Sequence, residues 1–196
     1  MTVHVFPAVA AALLIVGSGG QTAPTLPYDN PGACPFECCT YREWTVKSET
    51  RILVDRRDDA ATRFLVRAGE KVVGVTGVVT TLKFGRVRVE RDRELGVRRT
   101  LVRTGAQILL LHYLGEGTWK YWLRGQFDEA FIPSPDDCRR AADRSPTMSA
   151  QCAVQLEEPP ETVWWVTIRN REGQVGWTRQ VGHFGNIDAC GGDTRD

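Results

Sequence analysis

The sequence lacks any excess of charge of one sign: 25 Lys plus Arg stand against 24 Asp plus Glu in 196 residues, a net of +1. Whole-molecule attraction to nucleic acid or to an anionic membrane is therefore excluded, and such a partner would need a local patch. A sustained helical period is also missing. Apart from a short possibility at 136–143, no window of a dozen residues repeats its apolar positions at helical spacing, which excludes a helical bundle. Long apolar runs are absent save one near the start. With 42% hydrophobic and 25% charged residues, the chain is neither disordered, nor collagen-like, nor a multi-span membrane protein.

Residues 1–23 carry no Asp, Glu, Lys or Arg, and an apolar run at 6–16, broken only by Pro7, leads into Gly17, Ser18, Gly19 and Gly20. The run is too short for a hydrocarbon core of roughly 30 Å, and small residues follow where a signal peptidase fits the chain. The pattern predicts a leader at 1–23, cleaved between Gly19 and Ala23, and a product exported to periplasm or medium with no integral membrane association. No Lys or Arg precedes the run, which keeps a retained anchor as the alternative.

All six cysteines, Cys34, Cys38, Cys39, Cys138, Cys152 and Cys190, follow the leader, and an even count in that context implies disulfides. Cys138 and Cys152 bracket one polar, Pro-containing segment, where a bridge would contribute on the order of 3 kcal/mol through loop-closure entropy. Cys190 is then expected to pair with Cys38 or Cys39, joining the two ends of the exported chain. A zinc site at Cys34, Cys38 and Cys39 competes with this. Oxidation after export, the poor geometry of an adjacent pair and the lack of a neighbouring His weigh against it, and no metal or cofactor is expected.

Beyond Trp44 the pattern is short apolar or alternating stretches between turn residues, which predicts an all-β chain. Strands are expected at 45–54, 64–66, 71–79, 86–91, 107–113, 118–123, 127–131, 163–170 and 174–178. Leu65-Val66-Arg67-Ala68-Gly69-Glu70-Lys71-Val72-Val73 is echoed 36 residues later by Leu101-Val102-Arg103-Thr104-Gly105-Ala106-Gln107-Ile108-Leu109. In each, an aliphatic pair leads to a glycine turn and then to a strand, so two small barrels fit better than one sandwich. The segment 132–161, with five Pro and the Cys138 and Cys152 pair, reads as a surface insertion in the second unit.

Trp164-Trp165-Val166-Thr167-Ile168-Arg169-Asn170-Arg171-Glu172-Gly173-Gln174-Val175-Gly176-Trp177 resembles the terminal hairpin of bacterial SH3-like (SH3b) domains, with aromatics and aliphatics before a charged Gly turn and a Gly-Trp after it. Leu101 to Gly105 and, by repetition, Leu65 to Val73 extend the match. The first copy departs from it, showing Phe84-Gly85-Arg86-Val87-Arg88-Val89 in place of Gly-Trp. The resemblance implies tandem small β-barrels: a Cys-rich start at 24–43, a first domain at 44–94, a second at 95–187 carrying the insertion, and a tail at 188–196. It further implies a monomeric binding or scaffolding module without chemistry of its own, whose partner is peptidoglycan, as wall peptide or glycan, or an envelope protein. A purely structural pair of domains with buried aromatics is the first alternative.

Alternation along the aromatic hairpins sends Trp119 and Tyr121 to one face and Trp122 to the other, and separates Trp164 from Trp165. Tyr113, Trp122 and Trp165 are the expected ligand-binding residues, as platforms for a sugar face or a peptide. A Cys and His acyl hydrolase using Cys38 or Cys39 with His112 or His183 is the second alternative, and demands a free thiol. The arginine-rich run 86–103 carries Glu90, Asp92 and Glu94 among its seven Arg and reads as a self-paired, solvated ribbon with no nucleic-acid role. Titration of the unreduced protein in denaturant with a thiol reagent should find no free thiol; one reactive sulfur per chain would revive the nucleophile.

Overall fold

The computed structural model describes residues 22–142 and 150–191, so the leader assigned to 1–23 lies almost wholly outside them. The chain is mostly β. Its strands are β1 (Tyr28–Pro31), β2 (Glu43–Val46), β3 (Thr50–Leu53), β4 (Thr62–Val66), β5 (Lys71–Lys83), β6 (Gly85–Val89), β7 (Arg93–Leu95), β8 (Thr100–Val102), β9 (Leu109–Gly115) and β10 (Thr118–Leu123). There follow β11 (Gln126–Phe131), helix α1 (Pro135–Ala142), β12 (Val154–Glu158), β13 (Glu161–Arg169), β14 (Val175–Thr178), a 3-10 turn at Val181–His183 and β15 (Phe184–Gly185). No helix among the described residues is long and apolar enough to cross a membrane.

The strands form two curled sheets and one small hairpin. The first sheet runs β15-β2-β5-β13-β14-β3-β4, with β1 beside the far half of β5, and the second runs β11-β10-β9-β6-β12. Hairpin β7–β8 stands alone. Reduced to five principal strands, both sheets share one order in space: the fifth strand lies beside the first, followed by the second, third and fourth. In the first sheet these are β15, β2, β5, β13 and β14; in the second they are β12, β6, β9, β10 and β11. In each, a hairpin (β3–β4 or β7–β8) separates first from second strand, and a helical turn separates fourth from fifth.

The two units are nested. The whole second sheet lies between the second and third strands of the first, because β5 pairs with β13 from Lys83↔Glu161 to Val73↔Arg169. The expected split into 44–94 and 95–187 therefore does not follow the sheets: 161–185 belongs with 43–83, and 85–158 stands between. Nor is 132–161 a surface insertion. Val154 to Glu158 pair antiparallel with β6, and Ile132, Pro133, Ala141, Ala153 and Val154 are buried. Polar composition and proline suggested a loop, but the apolar residues in it close the core of the second sheet with Val87, Leu110, Tyr121 and Leu123.

The 36-residue echo is real as geometry. Leu65 and Val66 end β4 and Leu101 and Val102 end β8; each leads through a glycine into the second strand. Gly69 and Gly105 have φ of +87° and +76°. Each N–H donates back to the end of its sheet's first strand, Gly69 to the Val46 carbonyl at 2.8 Å and Gly105 to the Val89 carbonyl at 3.3 Å. A Cβ at either place would meet nothing within 4 Å, so the left-handed backbone alone demands glycine. Gly85 answers a different need: where the chain crosses into the second sheet, a Cβ there would lie 2.6 Å from the Glu158 carbonyl oxygen.

The structure joins Cys138 to Cys152, Cys38 to Cys190, and Cys34 to Cys39. The second of these cross-links the two ends of the fold. Beside it the Ala189 N–H donates to the Cys38 carbonyl at 2.7 Å and the Thr40 N–H to the Ile187 carbonyl at 2.9 Å, so 187–190 runs antiparallel to 38–40. Gly69→Ala and Gly105→Ala should each cost about 1–2 kcal/mol through the strained left-handed backbone, read as lowered urea midpoints. An unchanged midpoint for both would show that the turns do not require positive φ.

Candidate functional site

A groove of about 670 Å³ lies in the first sheet between the β3–β4 loop, the start of β13, the end of β14 and the 3-10 turn. Its floor is Trp165, only 6% exposed and packed with Leu53 and Ala60. Trp164, its neighbour on the strand, turns to the opposite face and joins Tyr41 and Trp44 in the main core of the first sheet, as alternation requires.

Charges are fixed at the groove's rim. Arg179 lies over the Trp165 ring with its guanidinium carbon 6.0 Å from the centroid, and pairs with Asp58 at 2.7 Å. Arg51 donates from Nε to Thr62 Oγ1 at 2.8 Å. The β3–β4 loop is tethered at a second point, where Arg56 pairs with Asp29 of β1 at 2.6 Å and lies 5.5 Å over Trp177. The Arg56 hydrogen bond holds the Asp29 carboxyl below its usual range against the opposing effect of burial. Two oppositely placed ties make this loop a set wall.

The expected platform residues are not brought together. Trp165 lies in the first sheet. Tyr113 and Trp122 lie at opposite ends of the β9–β10 hairpin, paired with Trp119 and Leu109 respectively. Tyr113 packs edge-on against Trp119 at 5.0 Å, and its hydroxyl accepts the Gly117 N–H at 2.8 Å, which fixes the turn. Trp122 is half-buried beside Phe127, and that ring stacks on Tyr28 at 5.3 Å. Sequence reasoning missed Arg51, Asp58, Arg179 and Gly182. Their one signal was the charged run Asp55-Arg56-Arg57-Asp58-Asp59, which does not disclose that Asp58 meets a residue 121 positions later.

No sulfur is free to serve as a thiolate nucleophile. All are in bridges, including Cys38 and Cys190, which lie with Asp188 in the only metal-compatible cluster among the described residues. Asp188 Oδ1 in turn accepts the Cys190 and Gly191 N–H groups. The arginine run is self-paired only in part: Arg88 pairs with Glu90, Arg99 with Glu94 and Arg103 with Asp92, all on the surface, whereas Arg86 pairs with Glu157 and Glu158 of β12 and Arg93 donates to the Ala150 and Gln151 carbonyls.

His112 is fully buried between the two sheets and serves as a joint. Lys120 Nζ donates to Asn30 Oδ1 at 2.8 Å, Asn30 Nδ2 donates to His112 Nε2 at 2.9 Å, and His112 Nδ1–H donates to the Tyr113 carbonyl at 3.0 Å. Each link fixes the next, because Lys120 has only donors and so sets the amide of Asn30. A second proton on Nε2 would face the Asn30 NH₂ group. His183, the other histidine considered for catalysis, is bonded through Nδ1 to Thr50 Oγ1 at 2.9 Å. No protein-family model, curated protein or solved structure matches this chain.

Burial pushes the affinity of His112 for a proton below the ordinary histidine value, and the Lys120 charge acts in the same direction; the Tyr113 carbonyl and Glu129 oppose them. The unfolded chain takes that proton near pH 6.5 while the folded one resists it, so this contribution is intact above pH 6.5 and is lost as pH falls below it. Urea midpoints measured at pH 7.5 and 5.5 should drop more for the wild type than for His112→Gln. Equal drops would remove His112 from the account.

Proposed function

We propose that the protein is an exported, non-catalytic binding module made of two SH3-like units, one nested in the other, and that its ligand is a wall peptide or glycan of the bacterial envelope held in the Trp165 groove. The shared five-strand order of the two sheets supports the SH3-like reading, as does the hairpin and helical turn at equivalent points in each. Three disulfides agree with an oxidising destination. The sulfurs that an acyl hydrolase would need are spent, and the buried histidine is closed off by Asn30 and Tyr113.

One observation carries the proposal: a groove of 670 Å³ whose apolar floor and charged rim are already held in place by contacts within the protein. Sites of that size with few fixed polar groups are the usual form of a ligand pocket. The competing reading, a structural pair with core aromatics, draws on the burial of Trp165 and the packing of Tyr113. Trp165→Ala cannot separate the two, because it would also open the core. Gly182 can: it is exposed at the groove, and a Cβ there meets nothing within 4 Å. In co-sedimentation with purified wall sacculi, the wild type should pellet and Gly182→Phe should stay in solution with an unchanged melting curve. A wild type that does not pellet would favour the structural pair.

A further inference from the structure

We propose that the groove selects a peptide carboxylate, held on the terminal guanidinium nitrogens of Arg51. This rests on reading the groove as the ligand site, and it adds the charge class of what enters. Arg51 and Arg179 both line the groove, but their circumstances differ. Arg179 is engaged by Asp58 at 2.7 Å and lies over Trp165. Arg51 uses only Nε, on Thr62 Oγ1, and its two terminal nitrogens have no acceptor among the described residues. That bond to Nε sets the guanidinium plane while leaving free the edge that grips a carboxylate with two parallel N–H bonds.

The charge of the groove selects a monoanion. Of the three ionised groups that line it, Arg51, Arg179 and Asp58, the ion pair cancels two, and the remaining positive charge is that of Arg51. A phosphate dianion would meet Asp58 beside the one free cation. Leu53, Val163 and Val181 add apolar lining to the same groove, suited to small aliphatic side chains adjoining the acid, and the open space at Gly182 leaves room there for an extended backbone. The combination of a fixed fork, a single surplus charge and an apolar lining describes a peptide bearing either a free C-terminus or an acidic side chain.

The test compares acetyl-Ala-Ala-Ala as the free acid, the same peptide as its C-terminal amide, and acetyl-Ala-Asp-Ala amide. Binding is followed by chemical-shift changes at the Trp165 indole and the Gln180 to Gly182 amides. At least one acid should bind about tenfold tighter than the neutral amide, and the preference should shrink as salt is raised. Arg51→Gln should abolish the preference and Arg51→Lys should restore part of it, with melting curves unchanged because residue 51 is exposed. A preference confined to the free acid assigns the C-terminus, and one confined to the Asp peptide assigns the side chain. Equal binding of acid and amide that Gly182→Phe removes would overturn the carboxylate while leaving the groove. No binding by any of the three would overturn both.

Discussion

The pairing of β5 with β13 is the constraint on which the rest depends. It spans nearly eighty residues of intervening chain, a separation at which loop closure is costly unless the loop is itself ordered. Here the loop is a folded unit whose own first and last strands are neighbours: β6 and β12 pair, with Arg86 opposite Glu158, so the second sheet delivers its two ends side by side. The crossing is then sealed by Lys83, which reaches Glu158 at 2.5 Å and Glu161 at 3.7 Å, and by Arg86 on Glu158 at 2.8 Å. These ions are exposed and add little individually. Their placement at the one point where both connections pass suits register more than strength, and the close approach of Gly85 to the Glu158 backbone leaves no room for a side chain there.

Local features were legible in the sequence to the degree that they depend on near neighbours. Alternation located β10 to the residue and placed β9, β11, β13 and β14 within about two residues. The turns at Gly69 and Gly105 were read correctly because positive φ is a property of one residue and its immediate chain. The expected strand at 71–79 stopped where its apolar residues stopped, but β5 continues through Thr80 and Thr81. Thr81 is fully buried, with its hydroxyl donating to the Leu111 carbonyl at 2.9 Å, so a polar residue there is a contact between sheets and not a strand end. Nesting was illegible for a related reason. Two copies of one pattern in a row are the same string of residues whether they stand in tandem or one within the other, and only the partner of β13 decides.

The candidate site shows the same division. Trp165 was picked from alternation, and alternation does place it on the face opposite Trp164, but whether such a face meets solvent depends on what the β3–β4 loop does. Leu53 and Ala60 come over the ring and leave it as a floor. Tyr113 was drawn by composition and is consumed by a turn. The residues that give the groove its charge come from three separate stretches of chain, around 51, 58 and 179, and no spacing rule connects them. Cysteine pairing was more tractable, since Cys138 and Cys152 bracket one segment and Cys190 was left to join Cys38 or Cys39, and the structure holds Cys138 to Cys152 and Cys38 to Cys190. The Cys38 to Cys190 bond closes the longest loop and, on chain entropy, contributes on the order of 5 kcal/mol, independently of which interior contacts form.

Arginine so outnumbers lysine in this chain that only four Lys are present, and the groove indicates why the difference matters. An ammonium beside Trp165 could neutralise Asp58, but it has no plane with which to lie over the ring and fix the loop at once; the guanidinium of Arg179 does both. Arg56 repeats the device one strand away, over Trp177 and against Asp29. Each arginine ties the β3–β4 loop to a different neighbour, β14 on one side and β1 on the other. β1 is also the strand whose Asn30 holds His112 and Lys120 of the second sheet. The wall of the groove and the joint between the sheets therefore share one four-residue strand. Loss of the buried histidine joint would loosen β1, and with it the Asp29 anchor on which the position of Arg56 depends.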